Sequence, residues 1–338
     1  MPLITINKQN FFDNLDIITQ KTKSKDKIAL VLKDNAYGHG LEVIAKLANE
    51  YGIKKAVVQT EKEANAIAPL FQSVLVLSSI PKKTAQNIHY TINTLEAIPK
   101  FAKGSKVELK VDTGMHRNGI DPSELEAAFL AIQKQKLQLI GIFSHHRSAD
   151  ELTGEWFWQQ ENFKKIKKEA LFLANKLGIP TPYFHLSNSA ALLRSGRCEE
   201  EMARVGIAAY GCIEMPKAFQ VEGFRPVLSL YADKITTKRL PKGARIGYGG
   251  AHTLKEDSTL STYDIGYGDG FFRSLSHTYI TPKGYKIAGR ISMDNSSFYC
   301  DEKRLLIFDD AREVAKQAGT ISYEVLTSLK PEIPREVV

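Results

Sequence analysis

The chain has 338 residues, 43% hydrophobic and 25% charged, which suits a globular protein long enough for a barrel with an appended domain. Its net charge of +8 is spread out, and Lys164-Lys165-Ile166-Lys167-Lys168 falls on a helix face without interleaved aromatics, which argues against nucleic acid as a partner. Three cysteines (Cys198, Cys212, Cys300) lack CxxC or metal-ligand spacing, no run reaches the roughly 18 apolar residues of a membrane span, and no signal peptide opens the chain, so a cytoplasmic protein without a membrane or metal is expected.

In chain order, residues 28–33, 56–59, 74–77, 89–92, 107–112, 139–144, 183–186 and 202–206 form short apolar runs. Amphipathic stretches such as 41–50, 122–136 and 155–177 lie between them, and Asp121-Pro122 is a good helix start. This alternation predicts parallel strands with right-handed crossovers. Eight strands in that span predict a (β/α)8 TIM barrel. A doubly wound nucleotide-binding sheet is the alternative, but residues 33–40 supply no GxGxxG. Beyond about residue 223 the texture changes. Segments 227–235, 244–248, 258–265, 285–289 and 298–308 read as strands, punctuated by Pro241-Lys242-Gly243 and Pro282-Lys283-Gly284. The expected organisation is an α/β barrel over 9–222 and a C-terminal mainly-β domain made of 1–8 and 223–338, with the proline-containing tail 330–338 partly disordered.

Barrel active sites gather at the C-terminal ends of the strands. The polar residues there are Lys33, Lys110 with Asp112, His145 with His146, Asn188 with Ser189, and Arg204. Only Asp112 is a carboxylate, so the set suits an anion with a carbonyl or aromatic centre, not a divalent metal. Lys33 closes the apolar run Ile28-Ala29-Leu30-Val31-Leu32. It could be a lysine snorkelling to the rim, or a desolvated amine with a lowered pKa, ready to attack a carbonyl and form a Schiff base.

The segment Val31-Leu32-Lys33-Asp34-Asn35-Ala36-Tyr37-Gly38-His39-Gly40 closely resembles the cofactor-lysine signature of alanine racemases. Further blocks follow in the family's order: Lys110-Val111-Asp112-Thr113-Gly114-Met115-His116-Arg117-Asn118-Gly119, Ser144-His145 with Ala149-Asp150-Glu151, and Asn188-Ser189-Ala190-Ala191. Arg204-Val205-Gly206-Ile207, Gly247-Tyr248-Gly249, Gly266-Tyr267-Gly268-Asp269-Gly270, Gly289-Arg290-Ile291-Ser292-Met293-Asp294 and Ile321-Ser322-Tyr323-Glu324-Val325 continue it nearly to the C-terminus.

This resemblance implies pyridoxal 5′-phosphate (PLP) bound to Lys33 as a Schiff base, with Lys33 also one of two catalytic bases. Tyr37, Ser189, the Gly206 and Ile207 amides, and Tyr323 are implied to hold the phosphate, although Ser189 alone reads first as a helix N-cap. Arg204 is implied to face the pyridine nitrogen. There a permanent cation donates a hydrogen bond to an unprotonated nitrogen and suppresses transamination; a structural salt bridge is the ordinary alternative for such an arginine. Tyr248 of a partner subunit is implied as the opposing base, with His145 and Arg204 in its hydrogen-bonded chain. A homodimer would thus share its active sites. Arg117 is implied to contact the cofactor's phenolic oxygen and the substrate carboxylate, Met293 and Asp294 to line the partner side of the substrate pocket, and Tyr267, Arg273 and Arg290 to line its entrance. Lys110 matches a lysine carried as a carbamate in some relatives. The chain departs from the family at His146, where an apolar residue is usual, and at Val205, where proline is frequent. The implied function is interconversion of L- and D-alanine, with a broader amino-acid racemase, a related PLP barrel decarboxylase and a non-catalytic PLP-binding protein as alternatives.

Overall fold

The computed structural model describes all residues 1–338. Strand β1 (Leu3–Ile6) and helix α1 (Lys8–Thr22) precede the barrel. The barrel proper runs β2 (Ile28–Val31), α2 (Lys33–Tyr37), α3 (Leu41–Tyr51), β3 (Lys55–Val58), α4 (Glu61–Ile67), β4 (Ser73–Val76), β5 (Ile88–Ile92) and β6 (Lys106–Lys110). It continues through α5 (Leu125–Lys134), β7 (Gln138–Phe143), α6 (Glu155–Leu177), β8 (Tyr183–His185), α7 (Ser189–Ser195) and β9 (Ala203–Val205). The eight strands pair in parallel in the order β8-β7-β6-β5-β4-β3-β2-β9. One bridge between Asn188 and Arg204 spans the remaining gap and nearly closes the barrel. Fully buried runs such as Ile28–Val31 are what a sheet covered on both faces demands.

The C-terminal part contains β10 (Leu228–Leu240), β11 (Arg245–Ile246), β12 (His252–Thr253), β13 (Ser258–Tyr263), β14 (Ser296–Phe298) and β15 (Arg304–Phe308). Two helices, α8 (Ala311–Ala318) and α9 (Ser322–Ser328), and strand β16 (Arg335–Val337) complete it. β1 pairs antiparallel with β10 and parallel with β16, so both ends of the chain enter one sheet. A continuous apolar core joins that sheet to the barrel: Ile4, Leu228, Phe308 and Val325 belong to the same buried cluster as Leu30 and Val107.

Three sequence expectations change. Residues 285–289 form no strand; they make single bridges at Lys286 and Ile287. The run 298–308 divides into β14 and β15, because the polar Asp301-Glu302-Lys303 segment interrupts it. The tail is ordered rather than partly disordered, since Arg335 donates from Nη2 to the Gly38 carbonyl at 3.0 Å and β16 adds a parallel edge to β1.

The segment after β2 is unusual. Asp34, Asn35, Ala36 and Tyr37 have φ of 54°, 56°, 52° and 48°, a turn of left-handed helix in non-glycine residues. Such residues cost about 1–2 kcal/mol each. Local bonds oppose that cost: the Asp34 amide donates to Glu63 Oε1 at 2.8 Å, and Asn35 Oδ1 accepts from the Leu41 amide at 2.8 Å. Gly38 ends the turn at φ 76°, where a Cβ would lie 2.0 Å from the Leu326 carbonyl oxygen of α9. Gly38→Ala should therefore destabilise the full chain by roughly 2–4 kcal/mol, read from its urea midpoint. Gly178→Ala, also at positive φ but with no atom within 4 Å of the new Cβ, should cost only about 1 kcal/mol.

Candidate active site

The strand ends open into one cavity of about 440 Å³. Lys33 follows β2, Lys110 ends β6, His145 follows β7, Ser189 follows β8, and Gly206 and Ile207 follow β9. Arg117 enters from the loop after β6, and Tyr323 from α9. Lys33, Lys110, Arg117, Arg147 and Arg204 face it against a single carboxylate, Asp150, so the cavity favours an anion. The expected desolvation of Lys33 is not seen: its side chain is 32% exposed, with Nζ 3.3 Å from Asp34 Oδ2. The left-handed turn holds it at the open side of the mouth, where a carbonyl can approach it.

Asn188, not Ser189, caps α7, with Oδ1 accepting from the Ala191 amide at 2.9 Å. Ser189 is thereby left to the cavity, where its hydroxyl accepts from the Gly206 amide at 3.1 Å. Tyr37 packs over Gly206, where a Cβ would lie 2.6 Å from the Tyr37 ring. Tyr37 and Tyr323 meet edge to face, with centroids 5.8 Å apart. Burial raises both phenols, so each remains a neutral donor. Two phenols, a hydroxyl and glycine-exposed backbone form a cradle that fits a phosphate, and the lysine stands on the same cavity, so these residues suit the PLP their pattern implies.

Arg204 is buried and has no direct carboxylate partner, so the salt-bridge alternative does not hold. Its Nη2 donates to the Ser144 carbonyl at 2.6 Å and the Leu186 carbonyl at 3.2 Å, and faces His145 Nδ1 at 3.4 Å. Its Nη1 meets His185 Nδ1. Burial lowers the Arg204 pKa to about 10, which still leaves a cation at neutral pH. His145 is held well below the usual histidine range by burial and then by Arg204, Arg117 and Lys110, so it is neutral. His146 is buried and falls to about 4 through burial and Arg204. Lys110 drops to about 8 through burial, reinforced by Arg117 and Arg204, and its Nζ bonds Asn118 Oδ1.

Six expected residues are not brought to this cavity. Tyr248, Tyr267, Met293, Asp294, Arg273 and Arg290 belong to the C-terminal part and do not line it. They sit close to one another instead. The Gly268 amide donates to the Met293 carbonyl at 2.8 Å, Arg273 lies 5.9 Å from the Tyr267 ring centroid, and the Arg290 guanidinium lies beside Gly249. Tyr248 is 65% exposed and Met293 55%.

Sequence reasoning missed a cluster beneath the mouth, formed by buried Glu108, His89 and His185 with half-buried Tyr183. The signal was present, because Glu108 lies two residues before Lys110 on one strand and so shares its face.

Family models agree with this geometry. Residues 6–214 match the alanine racemase N-terminal domain and 227–337 the alanine racemase C-terminal domain. The chain is 44% identical over 335 residues to the alanine racemase of a Nitratiruptor species, covering 99% of both. The solved alanine racemase of Clostridium difficile 630 superposes with a TM-score of 0.90 at 27% identity, over 100% of this chain and 95% of that one. That of Bacillus anthracis with bound L-Ala-P gives the same values. The nearly closed parallel barrel, its cationic mouth and these matches over both parts together place the chain in the alanine racemase family, a family of isomerases.

Proposed function

We propose that the protein interconverts L- and D-alanine with PLP at the barrel mouth, and so supplies D-alanine for peptidoglycan in the cytoplasm. The observation that carries this reading is the convergence of Lys33, Arg204 and the Tyr37–Ser189–Gly206–Tyr323 cradle on one cavity. PLP bound there supplies an electron-withdrawing ring that acidifies the α-proton of an attached amino acid. Tyr37, Ser189, Gly206, Ile207 and Tyr323 hold the phosphate, Arg204 faces the ring nitrogen, and Arg117 receives the substrate carboxylate as a guanidinium fork. Lys33 moves the proton on one face. Residues 9–222 serve as the cofactor-binding body, and residues 1–8 with 223–338 as the part that completes the neighbouring mouth.

Inversion needs a proton donor and acceptor on the other face too. The exposed cluster around Tyr248 suits that task in a two-fold dimer, where Tyr248 of the partner subunit reaches the mouth, flanked by Met293 and Asp294, with Tyr267, Arg273 and Arg290 along the entrance. Lys110 is read as the carbamylated lysine. Its pKa of about 8 leaves a useful fraction of neutral amine to attack carbon dioxide, and the resulting anion would steady Arg117.

With cofactor-loaded protein and L-alanine in D2O, loss of optical activity should accompany α-deuterium incorporation and exceed that for L-serine or L-lysine; exchange without loss of optical activity would remove Tyr248 as the opposing base. Tyr248→Phe should slow exchange from one enantiomer more than the other, and equal losses would count against opposed bases. Mixing the racemisation-deficient Lys33→Ala and Tyr248→Phe proteins should restore racemisation at up to about a quarter of native sites if each mouth is shared; no recovery after subunit exchange would mean each mouth belongs to one chain.

Lys110 also gives a pH signature. Its folded pKa of about 8 lies below the ordinary 10.5, so between those values the unfolded state binds more protons and stability rises with pH. In bicarbonate-free buffer, the stability of apo-protein relative to Lys110→Met should climb from pH 8 to 10.5, as measured by urea denaturation. Electron density lacking an added carboxylate at Lys110 in bicarbonate-grown crystals would refute the carbamate.

A further inference from the structure

Beneath the mouth, Glu108 is 1% exposed and His185 fully buried. Glu108 Oε2 lies 2.7 Å from His185 Nε2, while Oε1 accepts from His89 Nδ1 at 2.9 Å and from the Tyr183 hydroxyl. Burial alone would raise the Glu108 carboxyl, but the bonds from His185 and His89 more than reverse it, and the carboxylate is ionised. His185 Nδ1 meets Arg204 Nη1. The Phe143 ring stacks on His185 at 4.7 Å and 10°, which holds the imidazole plane. Space for Tyr183 comes from Gly141, where a Cβ would lie 2.6 Å from the tyrosine ring.

The polarity of this chain of groups is fixed from both ends. A guanidinium only donates hydrogen bonds and a carboxylate only accepts them. The imidazole between them must therefore keep a lone pair on Nδ1 and its hydrogen on Nε2, which makes it neutral. Glu108 is also the ionised group nearest in this chain of bonds to offset the charge of Arg204, which has no carboxylate in contact.

We propose that Glu108 is a positioning residue for the alanine racemase reaction: through the fixed ring of His185 it holds the Arg204 guanidinium toward the cofactor's ring nitrogen. The proposal rests on the reading of Arg204 given above. Without the His185 lone pair, Nη1 retains only the His185 carbonyl at 3.4 Å, a weak bond, and the guanidinium can pivot about its Nη2 bonds to the Ser144 and Leu186 carbonyls. With PLP bound, water could then reach and protonate the ring nitrogen, and part of the proton return would go to the cofactor's aldehyde carbon instead of the α-carbon. Alanine is oxidised to pyruvate as that carbon is reduced to the aminomethyl group, with one water consumed and the two products formed in equal amounts.

The test compares holoenzyme carrying Glu108→Gln or Glu108→Leu with the unaltered protein, reading pyruvate formed per racemisation turnover alongside kcat and KM for alanine. Glu108→Leu should raise the pyruvate ratio roughly tenfold or more, with kcat falling and KM nearly constant, a scale typical for groups that orient a site residue. Glu108→Gln, which keeps an acceptor but loses the charge, should fall between. A folded Glu108→Leu protein with an unchanged pyruvate ratio overturns the proposal, because a merely structural carboxylate would lower only stability. Arg204→Glu separates the two readings. If it raises the ratio and Glu108→Leu does not, the relay fails; if neither does, the assignment of Arg204 to the ring nitrogen fails. A readout independent of any variant and of turnover is the nitrogen-15 spectrum of His185 in unaltered apo-protein. A bare Nδ1 and protonated Nε2 support the relay, and a proton on Nδ1 overturns it.

Discussion

The structure depends most on one desolvated cation. Arg204 sits at the floor of the mouth with its charge removed from water, a condition that is costly unless every donor has a partner. The partners are carbonyls of Ser144 and Leu186 and the nitrogens of two neutral histidines, supplied by the ends of β7 and β8 and the residues following them. Barrel closure and the site are thus one problem. The Asn188–Arg204 bridge that spans the last gap between strands belongs to the same residue that anchors the polar floor. His145, His146 and Lys110 are all pushed toward neutrality around it, so the fixed positive charge is concentrated on the guanidiniums.

The second constraint is the left-handed turn after Lys33. A right-handed helix would have carried the chain directly from β2 onto the outer ring. Four residues in the αL region, closed by Gly38, fold it back instead, so that Tyr37 returns to the cavity beside Gly206. The Arg335 guanidinium clasps the Gly38 carbonyl from the tail, so the lysine's loop is held from the barrel and from the C-terminal part together. Strain of this kind persists only where surrounding contacts over-determine it.

Much of this was legible from the residues alone. All eight barrel strands overlap the apolar runs, because a strand buried on both faces must be apolar throughout and short. The C-terminal part was less legible. Asp310, which caps α8 with a 2.9 Å bond to the Arg312 amide, and Gly319, which ends that helix, were visible signals overshadowed by the surrounding strand texture. The segment 285–289 misled because its pairing breaks into single bridges, Lys286 with Ile280 on one side and Ile287 with Phe298 on the other, and never makes a continuous ladder. At the site, Lys33 announced itself by closing an apolar run, and Arg204 by standing as a lone cation inside one. Glu108 did not, since a lone carboxylate inside a strand reads as a solvent-facing position until its neighbours are placed in space. Nor could local pattern choose between Tyr248 and Tyr267, each of which lies in an Ile-Gly-Tyr-Gly run.

The sheet built around β1 has a consequence for how the molecule is made. Leu3 pairs with Tyr231 and Ile4 with Arg335, so β1 has neighbours that emerge more than two hundred residues later. The barrel strands pair mostly with sequence neighbours and can assemble during synthesis, whereas β1 must wait as an unpaired apolar edge. Parallel pairing with β16 is available only once residues 335–337 have left the exit tunnel. Because Arg335 also clasps the loop that follows Lys33, that loop gains its last anchor only after residue 335 has been made.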